Sequence, residues 1–175
     1  EYIKSKGDFN VLGACYPEGY EKGRNLDIDL LHLKLKEEAG AAQFISQICL
    51  DNEAFYKMLE KKERFNIKSP ISAGIMPVTN KKQIGRIISL CGIEVPKKFI
   101  KIMDKYEHDP EALRDAGIAY AAEQIIDLVT SGVDGIHLYT MNNPFVAKQI
   151  TNSIGSIIRA ANKTEELVSV KSIID

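Results

Sequence analysis

Four short apolar runs are spaced along this chain with helical stretches between them, and no two are close enough to be joined by a hairpin turn. They are Phe9–Cys15, Phe44–Ile48, Pro70–Ile75 and the run that opens at Gly135 and carries His137 and Tyr139. Strands separated by helices must run parallel with right-handed crossovers, so the pattern reads β-α-β-α-β-α-α-α-β-α. Side chains alternate along a strand, which puts Gly135, His137 and Tyr139 on one face of the last run and Ile136 and Leu138 on the other. In a (β/α) barrel the chemistry sits at the C-terminal ends of such strands.

The helices carry their own punctuation. Leu26 to Ala39 is predicted as a helix with Ile28, Leu31 and Leu35 on its apolar stripe and Gly40 as its stop. Asp51 is a natural cap for a helix from Asn52 to Phe65, with Phe55, Met58 and Leu59 facing the core. Thr79 is the expected cap of a helix reaching Leu90, and a Pro96–Tyr106 helix follows. Asp109–Pro110–Glu111 is the strongest start in the chain, combining an N-cap, a proline at the first position and an acid in the first turn. That helix is predicted to reach Ser131. A last one runs from Pro144 to Ile158, and residues 161–175 read as a charged tail.

Composition narrows the class. With 45% apolar and 27% charged residues the 175-residue chain matches a globular domain, and a net charge of −1 argues against a broad nucleic-acid surface. No apolar run reaches membrane-span length and no signal-like segment opens the chain, so a cytoplasmic setting and no membrane partner are expected. Cys15, Cys49 and Cys91 are far apart, without the close pairs of a zinc site; Cys15 and Cys49 read as buried thiols, and a reducing compartment is expected. Glu1 in place of an initiator Met reads as processing, trimming or excerpting. No Gly-rich nucleotide fingerprint, Walker A loop or nucleophile elbow occurs.

Two features point to a site. Asp29, His32 and Lys36 fall three and four apart, forming either a solvated helix face or a polar ligand wall with one phosphate-seeking cation. Gln47 is a polar amide closing an apolar strand, where it either ties down a loop or faces a ligand.

In this setting four ordered stretches stand out: Gly13–Ala14–Cys15–Tyr16–Pro17–Glu18; Lys36–Glu37–Glu38–Ala39–Gly40–Ala41 leading to Ile45–Ser46–Gln47 and Asp51–Asn52–Glu53; Pro70 through Asn80; and His137 through Asn142. Together, over roughly residues 9–155, they resemble the methylenetetrahydrofolate reductases, flavin-dependent (β/α)8 barrel enzymes of one-carbon metabolism and methionine biosynthesis. The resemblance implies an α/β TIM-barrel type of which about the last four βα units are present, with residues 1–160 as the C-terminal half. It implies FAD-dependent reduction of 5,10-methylenetetrahydrofolate to 5-methyltetrahydrofolate, with NAD(P)H or another electron donor as reductant. Tyr16, Tyr20, Asp29 and Lys36 would hold FAD, and Gln47, Gln83, Ile87 and Tyr139 would meet the folate.

Three positions depart from the family's pattern. Tyr20 stands where a histidine is common, Ile87 where some members carry a stacking aromatic, and Asn143 where an arginine is usual. The family's proton-donor glutamate and its Arg-Gly-Asp segment have no counterpart here, so no catalytic residue is expected in this chain. Four parallel strands cannot close a barrel, which makes the N-terminal half of the same barrel the expected partner, or else an oligomer or larger complex. The competing expectation is a non-catalytic half-barrel serving as an assembly module. No metal site is expected.

Overall fold

A computed structural model describes residues 1–20 and 25–174, with side chains through residue 163. After a short 3-10 turn at Lys4–Lys6, the elements in order are β1 (Val11–Cys15), α1 (Leu26–Glu38), β2 (Ala41–Ser46), α2 (Asn52–Arg64), β3 (Ile71–Ile75), α3 (Lys81–Cys91), α4 (Lys97–Lys105), α5 (Pro110–Thr130), β4 (Gly135–Leu138) and α6 (Pro144–Ile174). The four strands form one sheet in the order β1-β2-β3-β4, all parallel. Sequence order and spatial order coincide, so the sheet is wound in one direction only.

Register fixes what each face carries. Phe44 pairs with Ile71, Gly74 with His137 and Ile75 with Leu138. One face therefore presents Cys15, Phe44, Ile71, Ala73, Ile75, Ile136 and Leu138, and these pack in one core with residues of α1, α2, α5 and α6. Phe44 is fully buried there, a placement that stabilises by about 1.5–3 kcal/mol relative to exposure. The opposite face carries Leu12, Ala14, Gln43, Ile45, Ser72, Gly74, Gly135 and His137, a set of small, polar and partly exposed side chains. The alternation expected for Gly135, His137 and Tyr139 against Ile136 and Leu138 is the one observed.

A second, smaller core sits at the C-terminal ends of β2 and β3. Ile48, Leu50, Met76 and Val78 from the loops pack there with Ile87, Ile93, Phe99 and Met103 of the α3–α4 segment and Leu113 of α5. Gly117 lets α5 touch the loop beneath, because a Cβ there would collide with the Val78 carbonyl.

Several boundaries differ from the sequence expectation. Leu30 and Leu33, not Ile28, Leu31 and Leu35, face the core; the latter three are 45%, 51% and 53% exposed, and Leu12 on β1 is 51% exposed. Leu26, Ile28, Leu30, Leu31, Leu33 and Leu35 satisfy more than one helical stripe, so spacing alone does not choose the buried one. β2 ends at Ser46, leaving Gln47 and Ile48 in the following loop, although Gln47 N–H still bonds the Cys15 carbonyl at 2.8 Å. α3 is capped by Asn80 rather than Thr79. α6 continues past Ile158 to Ile174 and takes in most of the predicted tail, while Asp175 lies outside the described residues.

Candidate functional site

The end of β1, the loop after it and one side of α1 from its first turn to its last frame a cleft of about 430 Å³ lined by Tyr16, Tyr20, Asp29, His32, Leu35 and Lys36 among others. All four residues predicted to hold a flavin thus share one cavity. Asn25 caps α1 through the Asp27 N–H and starts the helix whose Asp29, His32 and Lys36 form the wall. Asp29 accepts the Tyr20 backbone N–H at 2.9 Å, holding the loop against the helix. Tyr16 and Tyr20 meet edge to face with centroids 4.9 Å apart. Lys36 Nζ donates to the Ala14 carbonyl at 2.8 Å and sits 6.0 Å from the Tyr16 ring centroid. Burial first, then the neighbouring Tyr20, Cys15 and Asp29, push the Tyr16 phenol up, so it stays a hydrogen-bond donor at neutral pH.

None of the residues predicted to meet a folate lines the cleft, and they fall in two groups. Gln47 begins the β2–α2 loop, and its Oε1 accepts the Ile48 N–H at 2.9 Å. An N–H can be met only by an acceptor, so the amide NH2 is the edge Gln47 turns outward. Tyr139 crosses from β4 over Gly74, where a Cβ would crowd both the Tyr139 ring and the Ser46 carbonyl, and its hydroxyl donates to that carbonyl at 3.2 Å. Tyr139 is therefore tied to the peptide just before Gln47. His137 stacks edge to face against it at 4.5 Å, one layer deeper.

Gln83 and Ile87 are occupied differently from the sequence expectation. Gln83 closes a capping box: its N–H donates to Asn80 Oδ1 at 3.0 Å while its own Oε1 accepts the Thr79 and Asn80 N–H groups at 2.8 and 3.2 Å. Only its NH2 remains to face a ligand. Ile87 is 6% exposed inside the second core, offering a ligand no open face. Asn143 caps the start of α6 by accepting the Val146 N–H at 3.2 Å.

Sequence reasoning missed one carboxylate. Glu18 Oε2 accepts the Glu94 N–H at 2.6 Å, and Oε1 lies 3.7 Å from Cys49 Sγ. The Tyr-Pro-Glu motif was legible, but its distant partners were not. Burial pushes the Cys15 and Cys49 thiols up to about 12, leaving them inert at neutral pH, as the buried-thiol reading requires. Among the described residues no group of three or more His, Cys, Asp or Glu could hold a metal ion, and no helix is long and apolar enough to cross a membrane.

Comparison with known proteins adds an independent line. A family model described as methylenetetrahydrofolate reductase matches residues 1–155. The 5,10-methylenetetrahydrofolate reductase of Pectobacterium carotovorum subsp. carotovorum is 30% identical over 153 residues, which cover 87% of this chain and 51% of that protein. Methylenetetrahydrofolate reductase (NADH) 1 of Zea mays is 32% identical over 168 residues, covering 90% of this chain and 28% of the plant protein. The chain thus spans about half the length of the bacterial relative and about a quarter of the plant one. Among solved structures, a Clostridium thermocellum protein described as binding two copies of 5-methyl-5,6,7,8-tetrahydrofolic acid superposes with a TM-score of 0.61 at 18% identity, covering 89% of this chain and 56% of that one. At that identity the likeness speaks to the fold.

Proposed function

The chain belongs to the methylenetetrahydrofolate reductase family, and from that membership we propose that it forms the flavin- and folate-binding C-terminal half of a (β/α)8 barrel that reduces 5,10-methylenetetrahydrofolate to 5-methyltetrahydrofolate in the cytoplasm. FAD, when bound, supplies the hydride, and NAD(P)H or another donor replenishes it.

The observation that carries this reading is the convergence of Tyr16, Tyr20, Asp29 and Lys36 on one cleft at the C-terminal end of β1. The donor set fits FAD. An ammonium has three donors, of which the Ala14 carbonyl takes one, so Lys36 keeps two for a pyrophosphate. Two aromatic rings set edge to face offer apolar surface to a flat ring system. Asp29 holds the loop that carries both.

The chain's own residues would then position the substrate rather than transfer a proton. Gln47 presents its NH2 to an acceptor on the pterin edge, and Tyr139 fixes the peptide from which Gln47 projects. Gln83 offers a second NH2 from the start of α3. Holding two reactants in near-attack geometry is worth several orders of magnitude in rate. The proton donor belongs to the N-terminal half, so this chain alone would not turn over. The singly wound sheet, with helices of the main core on one face and unpaired outer edges at β1 and β4, supports that pairing.

The test is a titration of the complete natural polypeptide with FAD, followed by flavin absorbance and fluorescence, in the wild type and in Lys36→Ala. Tight uptake that Lys36→Ala weakens about ten-fold or more supports the proposal. A protein that ignores FAD overturns it in favour of a non-catalytic assembly module, the reading that the closed packing of Ile87 favours.

A further inference from the structure

Glu18 lies two residues beyond Tyr16 and two before Tyr20, on the loop that frames the cleft. Its carboxylate turns away from the cleft and reaches two other connections at the same end of the sheet. Oε2 accepts the backbone N–H of Glu94, between α3 and α4, at 2.6 Å. Oε1 approaches Cys49 Sγ, in the β2–α2 loop two residues after Gln47, at 3.7 Å. The Cys49 thiol has one proton and lies closer to the Asp51 carbonyl, at 2.7 Å, so the Glu94 bond is the stronger arm of the tie. A charge-assisted bond of this kind is about twice as strong as a neutral one. Pro17, buried beside Glu18, leaves little freedom between the carboxylate and Tyr16.

Two further bonds among the described residues hold the loop, Gly19 N–H on the Tyr16 carbonyl and Tyr20 N–H on Asp29. Both contacts stay within the β1–α1 unit. Glu18 alone among these anchors joins the loop to the unit bearing Gln47 and to the α3 end of the unit bearing Gln83.

We propose that Glu18 is a positioning residue that couples the tyrosine-bearing loop to the β2–α2 and α3–α4 connections, so that flavin binding in the cleft and folate binding beside it favour each other. The coupling rests on the function proposed above; the mechanical tie does not. Without Glu18 the two sites still form, and what coupling remains runs through the contact of the two ligands and the Gln47 N–H on the Cys15 carbonyl.

The experiment uses the complete natural polypeptide as wild type, Glu18→Ala and Glu18→Gln. FAD affinity is measured with and without 5-methyltetrahydrofolate, and amide hydrogen exchange is followed in residues 16–20 and 92–96. In the wild type, folate should tighten FAD binding about five-fold or more. In Glu18→Ala that factor should fall at least about two-fold, with faster exchange in both segments and a modestly lower melting temperature from the stranded Glu94 N–H. Glu18→Gln, whose amide oxygen can still accept the Glu94 N–H, should recover most of the coupling. Coupling undiminished in Glu18→Ala, or exchange unchanged in both segments, overturns the role of Glu18 while leaving the flavin assignment standing. A wild type that takes up no FAD overturns that assignment and the coupling with it.

Discussion

Single side chains in this protein work mostly by tying one βα unit to the next. Glu37, at the end of α1, accepts from Lys68 N–H, Ser69 N–H and Ser69 Oγ at 2.6 to 2.8 Å on one oxygen and from Lys34 Nζ at 2.7 Å on the other. Burial alone would push its carboxyl up, but the bonds from Lys34, Ser69 and Lys68 prevail and hold it at about 2 against an ordinary 4.5. A depressed folded-state value means stability that is present above pH 4.5 and lost as pH falls through 2. Urea melts should show the wild type losing stability across that window and Glu37→Ala losing much less. At neutral pH the Ala variant should be weaker by about 1–3 kcal/mol, since it strands two backbone donors. Tyr139 makes a similar tie on the site side. Tyr139→Phe keeps the ring over Gly74 but frees the Ser46 carbonyl, so stability should drop by about 0.5–1.5 kcal/mol. Isothermal titration should also show weaker 5-methyltetrahydrofolate binding, because the Gln47 peptide loses its anchor.

At the level of elements, two glycines test how closely the layers approach. Gly117 sits where α5 meets the Val78 carbonyl, whereas Gly85 on α3 has nothing within 4 Å of a built Cβ. Gly117→Ala should therefore destabilise by about 1–3 kcal/mol or more, and Gly85→Ala should stabilise by about 0.5–1 kcal/mol through helix propensity. Thermal melts of the two variants should move in opposite directions. The same layer contrast explains what could be read from the sequence. The four strands, their parallel sense and the caps Asp51 and Asp109 were legible because short apolar runs and cap residues are local signals. So was the alternation in β4. The buried face of α1 was not, because Leu26, Ile28, Leu30, Leu31, Leu33 and Leu35 satisfy more than one helical stripe. The second core was hidden because Ile48, Leu50, Met76 and Val78 lie on loops, without periodicity to announce them. Gln83 stood out as a candidate only by resemblance. Its capping role follows from the Asn80-x-x-Gln83 spacing, which the preference for Thr79 obscured. The cleft residues on α1 were visible as a polar stripe, but their meeting with Tyr16 and Tyr20 depends on how the loop folds back.

For the molecule as a whole, the exposed stripe of α1 is the telling feature. Ile28, Leu31 and Leu35 face outward, and Leu12 faces outward from the adjacent strand, at the edge where β1 has no neighbour on its other side among the described residues. An unpaired strand edge flanked by bare leucines is a template for association. In the proposed complete barrel, a preceding βα unit would cover this edge, pairing its strand with β1 and packing its helix on α1. Leu31→Glu with Leu35→Lys separates the two situations. In the 175-residue chain on its own, the double variant should leave the melting temperature nearly unchanged and reduce self-association in sedimentation velocity, because those side chains contribute nothing to its core. In the complete polypeptide the same pair should cost about 1.5–3 kcal/mol for each leucine that loses its burial, read by urea unfolding, and should weaken FAD retention, since Leu35 itself lines the cleft beside Asp29 and Lys36. If the complete protein tolerates both changes without loss, α1 has no helix packed on that stripe. The chain would then close its sheet edge in another way, and the half-barrel proposal would fail at the element on which it depends.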